Sequence, residues 1–161
     1  KIGVANQTTM LANESLKVAQ MVKEALTERY GEESIDSHFR SFDTICSATQ
    51  ERQDAIIDLL DSGVDLTLVI GGYNSSNTNN LTNIAANYGP AYHIEDVSSF
   101  IDRDHIQHKI PDNHDITTTS GWLPEGELTI GITAGASTPD SKIEEVITRI
   151  FELRKIPSVS S

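Results

Sequence analysis

Hydrophobic and polar positions along the chain follow two periods, which together predict short strands that alternate with helices. Apolar residues that recur every three or four positions are typical of a helix with one buried face, and short apolar runs bounded by turns are typical of buried strands. The predicted helices span residues 13–29, 50–60, 75–88 and 139–153, with a short helix at 99–104. The predicted strands span residues 2–5, 38–45, 65–70, 91–94 and 128–132.

The apolar positions within each predicted helix define the face that we expect to be buried. In the first helix they are Leu16, Val18, Ala19, Met21, Val22, Ala25 and Leu26. In the next two helices they are Ala55, Ile56, Leu59, Leu60, Leu81, Ile84 and Ala85. In the last helix they are Ile143, Val146, Ile147, Ile150 and Phe151. Trp122, which lies outside these helices, is expected to anchor the packing of the core.

This alternation predicts an α/β fold in which a parallel sheet is covered by helices on both faces. The polar stretch at 105–127 is not assigned to an element, and residues 156–161 are expected to form a frayed tail. The chain opens on Lys1-Ile2-Gly3, without Met and already inside a strand-like run. We therefore expect that a further segment precedes it.

Composition and charge exclude several classes of function. With 37% hydrophobic and 22% charged residues, the chain has the composition of a globular protein. A net charge of −12 disfavours nucleic acid and acidic membrane surfaces as partners, because both are bound through Lys and Arg. No apolar run approaches the roughly 20 residues that a membrane helix needs. The single cysteine cannot form an internal disulfide bond.

Two turns rich in small polar residues follow predicted strands, where ligands collect in an open parallel sheet. The first is Gly-Gly-Tyr-Asn-Ser-Ser-Asn from residue 71, which includes Ser75, Ser76 and Asn77. The second runs from residue 131 to 140 and contains Ser137, expected at or near a helix N-cap, followed by Pro139 in the first turn. Either turn alone is explained by ordinary helix capping, and for the pair a site for an anion such as a diphosphate stands beside capping as an equal alternative. Neither turn matches a P-loop.

Cys46 is open to two interpretations. It ends a predicted strand just before a helix, where the helix dipole favours a reactive thiolate, but a lone cysteine is commonly a small buried hydrophobic residue. The triplet that contains Gln7 and Thr8 ends another strand and is expected at the same rim of the sheet. The histidines show no metal-ligand spacing, since His105 and His108 could share a zinc ion only if that segment were helical.

Five segments of the chain together resemble the 4-hydroxy-3-methylbut-2-enyl diphosphate reductase (LytB) family, in order and approximate spacing over nearly the whole chain. They are Asn-Gln-Thr-Thr-Met from residue 6, Thr-Ile-Cys-Ser-Ala-Thr-Gln-Glu-Arg-Gln from 44, Gly-Gly-Tyr-Asn-Ser-Ser-Asn-Thr from 71, Trp-Leu-Pro from 122, and Gly-Ile-Thr-Ala-Gly-Ala-Ser-Thr-Pro-Asp from 131. The third and fourth segments resemble the plant and cyanobacterial branch of the family.

The resemblance implies the last enzyme of the non-mevalonate isoprenoid pathway, which reductively removes an allylic hydroxyl to give isopentenyl and dimethylallyl diphosphate. It further implies three α/β units with pseudo-threefold symmetry around a [4Fe-4S] cluster, with one cysteine from each unit. By resemblance Cys46 is the third of these cysteines, Thr8 lies near the substrate hydroxyl, and Ser75, Asn77 and Ser137, with Ser76 nearby, bind the diphosphate.

The resemblance also divides the chain and names its partners. Residues 1–42 resemble the end of the middle unit, residues 43–155 the C-terminal unit, and residues 156–161 a tail. The family's other cysteines, its substrate-binding histidines and its catalytic glutamate are expected upstream of Lys1. Ferredoxin or flavodoxin is implied as electron donor, and the cytoplasm or the plastid stroma as the location. Two alternatives remain: a non-enzymatic sugar-phosphate or nucleotide-binding module, and a thiol enzyme with Cys46 as nucleophile.

Overall fold

A computed structural model describes residues 2–5, 12–42, 47–111 and 115–154, and the chain divides into two compact units, Lys1–Arg52 and Gln53–Ser161. The helices are α1 (Ala12–Tyr30), α2 (Ile35–His38), α3 (Ser47–Asp61), α4 (Ser76–Ala86) and α5 (Asp140–Leu153). The strands are β1 (Ile2–Ala5), β2 (Phe39–Phe42), β3 (Leu66–Ile70), β4 (Ala91–Ile94), β5 (His105–Lys109), β6 (Ile116–Ser120) and β7 (Ile130–Ala134). No described helix is long and apolar enough to cross a membrane.

The first unit contains a two-stranded parallel sheet, in which Ile2 of β1 pairs with Phe39 of β2. The predicted inner face of α1 is wrong in part. Ala19 is buried, but the side chains of Leu16, Val18 and Met21 are 59%, 49% and 61% exposed. Positions 16 and 18 lie about 200° apart around a helix, so these apolar side chains cannot all face one small sheet. Ala25 is exposed as well, whereas Val22 and Leu26 are half-buried.

The second unit is built on a five-stranded sheet in the order β6-β5-β4-β3-β7. Strand β3 pairs in parallel with β4 and with β7, as the alternation of strands and helices predicts. Strands β5 and β6 are antiparallel additions, so the sheet is mixed rather than wholly parallel. They come from the polar stretch that the sequence left unassigned, and antiparallel strands need no crossover helix between them.

The core lies on both faces of β3, whose five residues are all buried. Leu66, Leu68 and Ile70 join one apolar cluster, which α5 covers, and Val69 joins the other, which α3 and α4 cover. Because side chains alternate between faces along a strand, these two clusters lie on opposite faces of the sheet. The predicted α/β architecture with helices on both faces is therefore confirmed for this unit.

Most predicted inward positions of the second unit's helices are confirmed. The buried ones are Ile56, Leu60, Leu81, Ala85, Val146 and Ile150, with Leu59, Ile84, Ile143 and Phe151 half-buried. Ala55 is exposed and Ile147 is 36% exposed, so these two were wrongly placed on the inner face. Trp122 is confirmed as a packing anchor: it is 1% exposed and its ring stacks on Phe100 at a centroid distance of 5.1 Å.

The predicted helix at 99–104 is wrong. A 3-10 turn lies at Val97–Ser99 instead, capped by the Asp96 carboxylate, which accepts from Ser98 N at 3.0 Å. The N–H groups of Ile101 and Asp102 then bond to His105 O, which turns the chain into β5. Pro139 is also corrected, since it is the N-cap of α5 and not a residue of its first turn. The proposed boundary at residue 42 remains a prediction.

Candidate anion-binding site

The two turns singled out in the sequence leave neighbouring strands of the sheet at the same end. Ile70, the last residue of β3, pairs with Ala134, the last residue of β7. The carbonyl oxygen of Ile70 accepts a hydrogen bond from Gly135 N at 2.9 Å and another from Thr138 Oγ1 at 3.0 Å. The second turn is therefore hydrogen-bonded to the residue that directly precedes the first turn, so the two turns lie next to each other at one end of the sheet.

Thr78 fills the space between the two turns. Its side chain is fully buried, and a Cβ atom added to Gly71 or to Gly135 would lie 2.5 Å or 2.3 Å from Thr78 Oγ1. Such distances are well below van der Waals contact, so both positions require a residue without a side chain. The glycines of the two motifs thus allow the turns to approach each other around one threonine.

In the first turn, Ser75 is the N-cap of helix α4. Its Oγ accepts from Thr78 N at 3.3 Å, which confirms the capping interpretation for this turn. Capping uses one lone pair, so the hydroxyl hydrogen of Ser75 is still available to a ligand. Ser76 is exposed and, with Asn77, forms the first turn of the helix, where backbone N–H groups have no intrahelical acceptor. Capping and anion binding are therefore compatible here.

Asn77 carries the strongest sign of a ligand. Its side chain is 6% exposed, yet neither Oδ1 nor Nδ2 has a hydrogen-bond partner among the described residues. A buried amide left unpaired costs about 1–3 kcal/mol, so an unpaired amide at a helix N-terminus indicates a polar ligand or an ordered water. Ser137 lies on the second turn, exposed, two residues before the N-cap of α5.

Side chains from β4 and from the segment after it form hydrogen bonds with the backbone of the first turn. His93 is 1% exposed and its Nε2 donates to Gly71 O at 2.9 Å, while Glu95 Oε1 accepts from Tyr73 N at 3.2 Å. Burial is the main cause that lowers the pKa of His93. The ring carries a proton on Nε2, because the atom that this nitrogen contacts is a carbonyl oxygen. The His93 ring also meets the Tyr73 ring edge-on, at 5.2 Å between centroids.

Lys109 of β5 contacts the same turn from another strand. It is 5% exposed, and its ammonium donates to Tyr73 O at 2.7 Å and to Asn79 Oδ1 at 3.0 Å. Sequence reasoning missed both His93 and Lys109. His93 gave a weak signal, as a polar residue inside an apolar run, whereas Lys109 lies in a polar stretch with no helical or strand period.

Three of the predicted site residues lie outside the described residues, namely Gln7, Thr8 and Cys46. Among the residues that are described, no group of three or more His, Cys, Asp or Glu could hold a metal ion. The condition for a zinc site at His105 and His108 is not met, because both lie on strand β5 and not on a helix. Side chains three apart on a strand point to opposite faces, and His108 Nε2 instead contacts Thr119 Oγ1 at 2.8 Å.

Neutral hydroxyl, amide and N–H donors at the ends of two adjacent parallel strands are an arrangement that commonly binds phosphate groups in α/β proteins. Comparison with known proteins gives a narrower class. The model of the LytB protein family matches residues 1–151, and the chain therefore belongs to that family. This bears out the resemblance that the five segments carry.

Curated and solved relatives agree with this assignment. The chain is 47% identical over 161 residues to the 4-hydroxy-3-methylbut-2-enyl diphosphate reductase of Thermosynechococcus vestitus. The alignment covers 99% of this chain and 40% of that relative. The chain thus spans about two-fifths of the length of the curated relatives it matches.

Two solved structures are also similar. One is a structure of (E)-4-hydroxy-3-methyl-but-2-enyl diphosphate reductase, which is 32% identical in sequence and superposes with a TM-score of 0.54. The match covers 93% of this chain and 43% of the chain in that structure. The other is a structure of the E-1-hydroxy-2-methyl-but-2-enyl-4-diphosphate reductase from Plasmodium falciparum, with 21% identity and a TM-score of 0.64. The match covers 94% of this chain and 39% of the chain in that structure, and at this identity it supports the fold alone.

Proposed function

We propose that this chain is the diphosphate-binding, C-terminal part of a 4-hydroxy-3-methylbut-2-enyl diphosphate reductase. The reaction takes up two electrons and two protons, breaks the allylic C–O bond, releases water, and yields isopentenyl and dimethylallyl diphosphate. Membership of the LytB family supports this proposal, as do the names of the relatives. The observation that carries it is the buried, unpaired amide of Asn77 at the start of α4.

In this proposal the chain binds and orients the substrate through its diphosphate. Asn77 Nδ2 and the hydroxyl of Ser75 donate to phosphate oxygens from the first turn, with the Ser76 hydroxyl nearby. Ser137 donates from the second turn. Donors that are already fixed by the fold need little reorganisation when the anion arrives, and a diphosphate held at both turns leaves the allyl group in one orientation.

The proposed cluster extends beyond this chain. A [4Fe-4S] cluster takes three or four cysteine ligands, and the chain has one, so its own residues do not fit a complete cluster. We assign Cys46 as one ligand, with the others upstream, and Thr8 to the neighbourhood of the substrate hydroxyl. Ferredoxin or flavodoxin is the proposed electron donor. The cytoplasm, or the plastid stroma in a plastid-bearing organism, is the proposed location.

The test measures binding of inorganic pyrophosphate to the full-length gene product by titration calorimetry. Asn77→Ala, Ser75→Ala and Ser137→Ala should each weaken binding by roughly one to two decades, since a hydrogen bond to a charged group contributes about 1.5–3 kcal/mol. Asn87→Ala is the matched control, because Asn87 is an exposed amide at the other end of α4 whose side chain donates to Asn83 O within the helix. Wild-type affinity in all three site variants would contradict the proposal.

A non-enzymatic phosphate-binding module would respond to these substitutions in the same way. The two functions separate in a substrate assay under reducing, oxygen-free conditions. Formation of isopentenyl and dimethylallyl diphosphate by the full-length protein supports the reductase, whereas pyrophosphate binding without any turnover favours the binding module.

A further inference from the structure

Lys109 is a buried cation, and the partners of its ammonium within the described part of the chain are neutral oxygens. Lysine is almost never fully buried unless its ammonium is paired, because removal of a charge from water is costly. Here the Nζ atom donates to the carbonyl of Tyr73 at 2.7 Å and to the side-chain oxygen of Asn79 at 3.0 Å. Neither partner is a carboxylate, so no ion pair with them offsets the cost of burying the charge. The placement of this ammonium calls for another explanation.

The two partners of Lys109 bracket the residues proposed to bind the diphosphate. Tyr73 precedes Ser75 in the first turn, and Asn79 follows Asn77. The ends of this segment are also tied to each other, since Asn79 N donates to Ser75 O at 2.9 Å and Asn79 Nδ2 to Tyr73 O at 3.4 Å. The ammonium thus fixes both ends of the segment that carries the donors.

The same contacts control which groups of the turn can meet an anion. Carbonyl oxygens carry partial negative charge and would repel a phosphate, whereas N–H groups attract it. An oxygen that is bonded to a buried ammonium is not free to turn toward the ligand. His93, which pairs with Lys109 across β4 and β5, occupies the carbonyl of Gly71 in the same way.

We infer that Lys109 is a positioning residue for diphosphate binding, which holds the turn at residues 73–79 so that Asn77 and Ser75 present their donors to the anion. The inference rests on the proposed function and deepens it. It also gives a role to strand β5, which ends at Lys109 and has no part in the two sequence motifs.

The test again uses the full-length protein and inorganic pyrophosphate in titration calorimetry. Lys109→Met removes the ammonium but keeps a side chain of similar length, and it should weaken binding by about tenfold or more, equivalent to about 1.4 kcal/mol. Arg154→Met is the matched control. It removes one positive charge that also donates to backbone carbonyls, those of Pro124 and Gly126, in the loop before β7. We expect its affinity to stay within about twofold of wild type.

A double-mutant cycle distinguishes positioning from an independent effect. If Lys109 acts by positioning Asn77 and Ser75, the variant with Lys109→Met and Asn77→Ala should lose clearly less affinity than the product of the two single losses, because Asn77→Ala already removes one of the two donors that Lys109 positions. Fully multiplicative losses would overturn the positioning role. If Lys109→Met does not fold, Asn79→Ala replaces it in the same cycle, with an expected loss of about three- to tenfold, and wild-type affinity there would likewise overturn the inference.

The outcomes separate this inference from the proposed function. If Asn77→Ala weakens pyrophosphate binding but a folded Lys109→Met protein binds within about twofold of wild type, only the inference fails. If wild-type protein does not bind pyrophosphate, or Asn77→Ala binds normally, the proposed site fails and the inference fails with it.

Discussion

Replacement of Gly135 by alanine tests whether the two turns meet as tightly as their geometry requires. The new methyl group would lie 2.3 Å from Thr78 Oγ1, more than 1 Å inside ordinary van der Waals contact. Thr78 is fully buried and β-branched, so few χ1 rotamers are open to it and its hydroxyl cannot easily move away from the new methyl group. Overpacking of this kind costs about 1–3 kcal/mol, or roughly 2–4 °C in melting temperature per kcal/mol in a domain of this size.

A second substitution should relieve that cost. In Thr78→Ala the clashing oxygen is gone, and the nearest remaining atoms to the new methyl group are Thr138 Oγ1 at 3.5 Å and Cβ of residue 78 at 3.6 Å. Both are ordinary contacts. The double variant, Gly135→Ala with Thr78→Ala, should therefore melt at a higher temperature than Gly135→Ala alone, although each single change lowers stability or leaves it unaltered.

The assay is thermal unfolding of the full-length protein, followed by circular dichroism. Gly89→Ala serves as the control, because Gly89 has open space around its Cβ position and a backbone outside the left-handed region, so it should unfold within about 1 °C of wild type. The reasoning is refuted if Gly135→Ala is as stable as Gly89→Ala, or if the double variant is less stable than Gly135→Ala by the full cost of Thr78→Ala.

Two further predictions concern pH and iron. Burial lowers the pKa of both His93 and His108, so the unfolded chain binds more protons below about pH 6.5 and stability should fall as the pH drops through that value. The melting temperature should then depend less steeply on pH between about 7.5 and 5.5 when both residues are changed to glutamine. An unaltered slope would contradict the claim that the lowered pKa values of these two histidines make stability depend on pH. For the proposed cluster ligand, Cys46→Ser in full-length protein purified without oxygen should lower iron and sulfide per chain, because a hydroxyl is a poor ligand for soft metal sites. Normal iron content in that variant would remove Cys46 from the cluster.

The sequence predicts the architecture of the second unit well because its signals are local. Strand β3 is a short apolar run, α4 starts at a serine that caps it, and the glycine-rich turns follow strands. Such features depend on neighbours within a few residues. The antiparallel pair β5 and β6 has no apolar run of this kind. Strand β6 reads Ile-Thr-Thr-Thr-Ser, whose β-branched residues favour a strand but are mostly polar.

The residues of the two turns could be singled out from the sequence, whereas the residues that hold the first turn in place could not. Asn77 and Ser75 lie in a recognisable turn, and their polarity at a strand end suggests binding. Lys109 is 36 residues beyond Tyr73 in sequence, and only the pairing of β4 with β5 brings the two together. The prediction for α1 failed for another reason. Its apolar positions do not form a single stripe, since Leu16 and Val18 lie about 200° apart around the helix, and one small sheet cannot cover both.

The carbonyl of Ile70, which receives hydrogen bonds from Gly135 and Thr138 of the second turn, has a consequence for redesign. The second turn is thus hydrogen-bonded to the end of β3, the strand that leads into the first turn, and Thr78 fills the space between the two turns. The two turns are therefore coupled through these contacts, and we expect that neither can be widened alone without disturbing the other. An engineer who wishes to alter the ligand would have to transplant residues 71–78 and 135–138 together, as a single cassette.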